Sequence, residues 1–268
     1  MSNAAEAARG KSTDMIVIGH RGAPHEALEN SWSAFERAIE GGAERIELDV
    51  QLTKDGELAV IHDENLLRTA GMDKVIAELT RNQVERHKLI NGEQIPFIDD
   101  VINEILGRVE LNIEIKGDTI YEAERVAELV LASPHSEKVI ISSFQRQPLD
   151  YLAQNYSELK LACLWGPYTW WPNIAHFAPP VFMQSVSAKI FHPWVGFINA
   201  QMMDEARRRG WTVYAYAGLL GPDERIDRES LWTKLLSLGV HGLCTNYPRE
   251  LKAWLGTDQA SLLRGSTT

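Results

Sequence analysis

Short apolar runs alternate with amphipathic stretches along the whole chain. Nine runs read as strands: "MIVIG", "RIELDVQL", "ELAVIHD", "VELNIEIK", "KVIISSF", "LKLACLW", "VFMQSV", "WTVYAYAG" and "GLCTNYP". Between most of them apolar residues recur at helical spacing. Phe35, Ala38 and Ile39 mark the first such stretch, with Asn30 or Ser31 as its cap. "YEAERVAELVLA" and "NAQMMDEARRRG" are equally amphipathic. Strands alternating with helices build a parallel sheet with covered faces. One connection breaks the rule. "TKDG" is too short for a parallel crossover, so "RIELDVQL" and "ELAVIHD" must form an antiparallel hairpin. Setting its return arm aside leaves eight parallel strands. The predicted class is therefore α/β, a TIM (β/α)8 barrel with a β-hairpin at the second strand. A doubly wound open sheet is the alternative, and no Gly-rich phosphate loop follows a strand to support it.

The hairpin carries a register. With Asp55-Gly56 as a two-residue type I′ turn, Lys54 opposes Glu57 and Asp49 opposes His62. Alternation then puts Glu47, Asp49 and His62 on one face.

Composition narrows the function classes. The 268 residues are 44% hydrophobic and carry a formal charge of −10. That suffices for one large core, predicted as a single domain over 15–256. It argues against a nucleic-acid footprint and against broad attraction to anionic membranes. No run approaches the length of a membrane span, and the N-terminus lacks the apolar core of a secretory signal. Residues 1–14 and 257–268 are expected to be poorly ordered. Cys163 and Cys244 sit inside apolar runs and read as buried, reduced thiols of a cytoplasmic protein. The sequence carries no signal for an oligomeric state.

In a TIM barrel, functional groups gather at the C-terminal strand ends. His20 and Arg21 end the first strand, Glu47 and Asp49 lie in the second, and the hairpin returns His62 and Asp63. Glu114 and Lys116 share a face of "NIEIK". Three convergent carboxylates repel one another unless a cation sits between them. All-oxygen ligands favour a hard ion, Mg²⁺ or Ca²⁺. The alternative is a salt-bridge network with Arg21 and Lys116. Two imidazoles at strand ends suit a general acid and a general base, whereas His25, His87, His135, His176, His192 and His241 stand alone.

The run "GHRG…LENSWSAFERAIEGGAERIELDVQLTKDGELAVIHDENLLRT" resembles the N-terminal signature of the glycerophosphodiester phosphodiesterase family. The likeness continues through "IPFIDDVINEIL", "LNIEIK" and "ISSFQRQPLDYL" and returns at "GVHGLCTNYP". It implies that His20 and His62 are catalytic and that Glu47, Asp49 and Glu114 bind one divalent cation. It also implies that Arg21 and Lys116 contact phosphate. Glu29 matches the acid of a Pro-Glu-Asn-Thr element, with Leu28 in place of the proline, and would support Arg21 or simply shape a helix cap. Tyr216 stands where the family's Trp would fall, and Asn246 replaces the Asp of Thr-Asp-Tyr-Pro.

The implied reaction is metal-dependent hydrolysis of a small-molecule glycerophosphodiester to sn-glycerol 3-phosphate and an alcohol. The hairpin places His62 nearest the metal, which favours His62 as base and His20 as acid. The attacking group is either the glycerol 2-hydroxyl or water. A lysophospholipase D of the same fold and a non-catalytic phosphodiester-binding barrel are the alternatives. A two-histidine phospholipase C barrel is disfavoured by the three acids. Trp165, Tyr168, Trp170, Trp171, Phe177 and Phe182 form an aromatic loop, read as a cap on the barrel, as an apolar substrate wall or, least favoured because its flanks lack Lys and Arg, as an interfacial membrane anchor.

Overall fold

The computed structural model describes residues 15–167, 183, 188–217 and 228–257. Its centre is a closed sheet: β1 (Ile16–His20), β2 (Arg45–Leu52), β4 (Glu110–Ile115), β5 (Val139–Ser143), β6 (Lys160–Trp165), β7 (Ile190–Pro193), β8 (Thr212–Tyr216) and β9 (Gly242–Thr245) are all parallel. Closure follows because β1 pairs with both β9 and β2. The expected TIM barrel is thus present.

Period-two alternation explains why these strands close around polar groups. Ile46, Leu48 and Val50 of β2 and Leu111, Ile113 and Ile115 of β4 join Phe35, Ala38, Val101, Val126 and Ala127 in the layer between sheet and helices. Their neighbours Arg45, Glu47, Asp49, Asn112 and Glu114 therefore point into the barrel. The surrounding helices include Trp32–Glu40, Ile98–Glu104, Ile120–Ala132, Arg146–Asn155, Ala200–Arg209, Arg228–Ser237 and Pro248–Leu255. Ser31 caps the first of them, its hydroxyl accepting from the Ala34 amide at 3.2 Å. Asn30, the other candidate cap, has a different task described below. Both cysteines are buried free thiols.

Two expectations need correction. The parallel strand between β6 and β8 is Ile190–Pro193, where the sequence pattern pointed to "VFMQSV". Of that run only Met183 is described, and it is buried against the main core. "IFHP" is short and ends in proline, so it gives little periodic signal.

The hairpin exists, with β3 (Leu58–Val60) antiparallel to β2, but its register is shifted by one. Thr53 faces Glu57, with the Thr53 amide donating to Glu57 O at 2.8 Å, so the loop has three residues rather than two. Gly56 takes the left-handed conformation (φ +83) that such a loop requires. Asp49 therefore pairs with Ile61, whose amide donates to Asp49 O at 3.0 Å. His62 follows one position later, where the arm has left the strand.

The hairpin also solves an edge problem. β2 is longer than β1 and pairs with it only through Arg45–Glu47. Above that level Val50–Leu52 pairs with β3 instead. The return arm thus covers the part of β2 that rises past the end of β1. It then leads into a satellite core of Ile61, Leu66, Ile76, Leu79, Val84, Leu89, Ile95 and Phe97. The expected terminal segments lie outside the described residues, apart from Thr257.

Candidate active site at the barrel mouth

The chain leaves β1 at His20 through a turn that uses Gly19 and Gly22. A Cβ on Gly19 would stand 2.4 Å from Gly22 O, and one on Gly22 (φ +90) would stand 2.6 Å from the Ala34 backbone. Arg21 between them is itself left-handed (φ 55), a conformation that costs a non-glycine residue about 1 kcal/mol or more. The turn aims Arg21 back over the mouth. Its amide donates to Glu47 Oε2 at 2.9 Å, Nε lies 3.1 Å from Asp49 Oδ2, and Nη1 donates to Glu29 Oε1 at 2.8 Å. Asn30 (φ 52) completes the turn, its amide donating to Arg21 O at 3.0 Å and its Nδ2 to Asp49 Oδ2 at 2.9 Å.

Glu47, Asp49 and Glu114 are all buried, and they can offer oxygens within 4.8 Å of one another. Facing them are two cationic groups: Arg21, and Lys116, whose Nζ lies 2.6 Å from Glu114 Oε1 and 3.6 Å from Asp49 Oδ1. Both predicted arrangements are therefore present at once, an acid cluster and a salt-bridge network. The network leaves the cluster incompletely matched. Glu47 Oε1 and Asp49 Oδ1 are buried without a hydrogen-bond partner. Burial and the adjoining Asp49 and Glu114 carboxylates push the Glu47 carboxyl well above its usual range. Burial works the same way on Asp49, but Arg21, Lys116 and Asn30 outweigh it and hold that group below its usual range. Unpartnered oxygens and a carboxylate pushed toward its neutral form fit a site built for one hard cation.

The two histidines are held differently. His20 Nδ1 lies 2.6 Å from Asn246 Oδ1, and its Nε2 lies 4.0 Å from Glu47 Oε2. The amide oxygen can only accept, so Nδ1 carries the hydrogen and Nε2 keeps its lone pair. Burial, reinforced by Arg21, lowers the ring to about 4. His62 Nδ1 lies 2.7 Å from a carboxylate oxygen, Asp63 Oδ1, and Gln51 Nε2 donates to His62 O at 2.9 Å.

Glu29 does more than shape a cap. It bridges Arg21 to Arg68, and these bonds hold its carboxyl below the usual range although burial works upward. Tyr216 is buried at the end of β8, edge-on to Phe144 and His192, and its hydroxyl has no hydrogen-bond partner. His192, read from sequence as an isolated histidine, sits inside the barrel with both ring nitrogens unpartnered.

Asn30 and Arg68 are groups that sequence reasoning did not place in the site, whereas Asp63 and Asn246 were read at the mouth without a role. Adjacency of Asp63 to His62 was a visible signal. Arg68 lies on the four-residue helix Leu67–Ala70, and its distance from Glu29 along the chain hid their pairing. The aromatic loop, Trp165 apart, lies outside the described residues.

Comparison with known proteins places this geometry. The description "Glycerophosphoryl diester phosphodiesterase family" matches residues 20–250. A glycerophosphodiester phosphodiesterase of Caldanaerobacter subterraneus subsp. tengcongensis is 31% identical over 248 residues, covering 88% of this chain and 96% of its own. A lysophospholipase D of Rattus norvegicus is 23% identical, covering 91% and 87%. Among solved structures, an Oleispira antarctica phosphodiesterase in complex with the product sn-glycerol-3-phosphate superposes with a TM-score of 0.79 at 22% identity, covering 90% and 97%.

Proposed function

We propose, because the chain belongs to the glycerophosphoryl diester phosphodiesterase family, that it hydrolyses glycerophosphodiesters to sn-glycerol 3-phosphate and an alcohol, with Glu47, Asp49 and Glu114 as ligands of one Mg²⁺ or Ca²⁺. The observation that carries the reading is the buried carboxylate trio flanked by two separately anchored imidazoles. A cation bound by the trio would supply positive charge to the phosphate and to a hydroxyl beside it.

The residues divide the remaining work. Arg21 donates through Nη1 to Glu29, while its Nε lies 3.1 Å from Asp49 Oδ2 without a hydrogen bond. That guanidinium and Lys116 Nζ suit two phosphate oxygens, whose charge grows in the transition state. His20 presents an unprotonated Nε2 and suits the base that takes the proton of the attacking hydroxyl. His62 is oriented through Nδ1 by the Asp63 carboxylate and suits the acid that protonates the leaving alkoxide. This order is the reverse of the one expected from sequence. The reason is that an amide backs His20 and a carboxylate backs His62. Tyr216, at the far wall of the mouth, would border the leaving group.

No helix among the described residues is long and apolar enough to cross a membrane. The proposed substrate is a small-molecule diester, and the proposed location is the cytoplasm. The match to proteins named lysophospholipase D keeps lysophospholipids as a second substrate class. The decisive experiment strips metal with chelator and restores Mg²⁺ or Ca²⁺ one at a time. Turnover of glycerophosphocholine, lysophosphatidylcholine and a nitrophenyl diester is measured in each state. Full turnover in chelator would remove the cation from the reading. No turnover of any diester would remove the activity.

A further inference from the structure

Outside the acid cluster, the densest set of charged contacts at the mouth centres on Arg68. One guanidinium spans two carboxylates that lie 39 and 5 residues away along the chain. Nε and Nη2 donate to Asp63 at 2.7 and 3.0 Å, while Nη1 and Nη2 donate to Glu29 at 2.7 and 2.8 Å. Each carboxylate has a second bond. Asp63 Oδ1 also holds His62 Nδ1 at 2.7 Å, and Glu29 Oε1 also holds Arg21 Nη1 at 2.8 Å. The result is a continuous strap, His62–Asp63–Arg68–Glu29–Arg21, from the hairpin arm to the turn after β1.

We infer that Arg68 is a positioning residue that sets the distance between His62 and Arg21, and so between proton transfer and phosphate binding. The inference rests on the reading of those two residues given above. Its basis is geometric. His62 and Arg21 leave the barrel on different elements, and no hydrogen bond between the described parts of those elements joins the two side chains directly. The guanidinium is planar, with donors at fixed angles, so two bidentate pairs fix both carboxylates in one frame. Lysine carries the same charge without that frame. Arg68 is itself rooted. Leu66 before it is buried in the satellite core, and the Thr69 carbonyl after it accepts from the Ile90 amide at 2.9 Å. Its side chain is 47% exposed, and ion pairs of so exposed a group contribute little to stability. Holding geometry is then its larger effect.

The test compares Arg68→Gln, Arg68→Lys, Asp63→Asn, Glu29→Gln and His62→Ala on glycerophosphocholine, with melting temperatures to establish folding. Asp63→Asn should lower kcat about 10–100-fold at nearly constant KM, the scale for losing a group that orients a site histidine. Glu29→Gln should act mainly on KM. Arg68→Gln should do both, and Arg68→Lys should resemble it rather than the parent. In a His62→Ala background, Arg68→Gln should change kcat less than twofold while still raising KM. If Arg68→Lys matches the parent, or if Arg68→Gln lowers kcat equally with and without His62, the strap is overturned and charge alone explains Arg68. If His62→Ala keeps parental kcat, the reading of the site itself fails, whatever Arg68 does.

Discussion

Asn246 and His20 lie 226 positions apart and meet through a 2.6 Å contact between Oδ1 and Nδ1. It joins the end of β9 to the end of β1, strands that are neighbours only because the barrel closes. A neutral partner does little to stabilise an imidazolium, whereas a carboxylate would raise the pKa of the ring. Asn246→Asp should therefore move the acid limb of the kcat/KM profile to higher pH. Asn246→Leu should lower kcat by freeing the tautomer. An unmoved acid limb in Asn246→Asp would remove Asn246 from the control of His20.

The acid trio should show opposite effects on stability and on metal affinity. Glu47 is buried, carries an unpartnered oxygen, and is crowded by two carboxylates. Glu47→Gln should raise the melting temperature in chelator while weakening cation binding at least tenfold. The rise in melting temperature on adding Mg²⁺ or Ca²⁺ should shrink accordingly, since that rise follows ligand affinity. Excess metal should restore part of the activity. Thermal unfolding with and without chelator measures both halves, and a parental metal-induced shift in Glu47→Gln would count against its being a ligand.

His20→Ala and His62→Ala should each slow the chemical step by roughly 10²–10⁴-fold. A nitrophenyl leaving group needs little protonation, so it should rescue whichever variant has lost the acid. On the proposed reading, in which Asp63 backs His62 and Asn246 backs His20, that variant is His62→Ala. Rescue of His20→Ala instead would reverse the two roles.

His192 should make the fold acid-sensitive. Burial, with Arg45 and His20 nearby, lowers its ring from 6.5 to about 3, so the folded ring stays neutral where the unfolded one takes a proton. A folded-state pKa below the unfolded value means that the unfolded state binds more protons inside that window. Stability should therefore fall as pH drops through it, by at most about 1.4 kcal/mol per pH unit for this group. Urea unfolding between pH 7.5 and 4.5 should show the loss, and His192→Gln should flatten it. An identical slope in the variant would assign the acid sensitivity to other groups.

The barrel class was legible because alternation of strand and helix patterns is a local property. So was the hairpin, since four residues cannot span a parallel crossover. Strand-end positions also marked His20, Arg21, Glu47, Asp49, His62, Glu114 and Lys116 before any coordinates, and the structure brings the three acids, Arg21 and Lys116 into one cluster. A one-residue change of loop length does not alter the hydrophobic pattern, so the register escaped. "IFHP" escaped because a four-residue strand is too short to show a period.

What the chain determines by itself is which groups are polar and at what period they recur, and this suffices to send Glu47, Asp49 and Glu114 to the inside of a barrel. What only the tertiary structure decided is which partner each group meets. An amide reaches His20 because β9 closes onto β1, whereas the carboxylate that holds His62 belongs to its own neighbour, Asp63. Arg68 reaches Glu29 because β3 and the satellite core fold back over the top of β2. The partners of His20 and Glu29 depend on contacts between residues far apart in the chain, which no local pattern encodes.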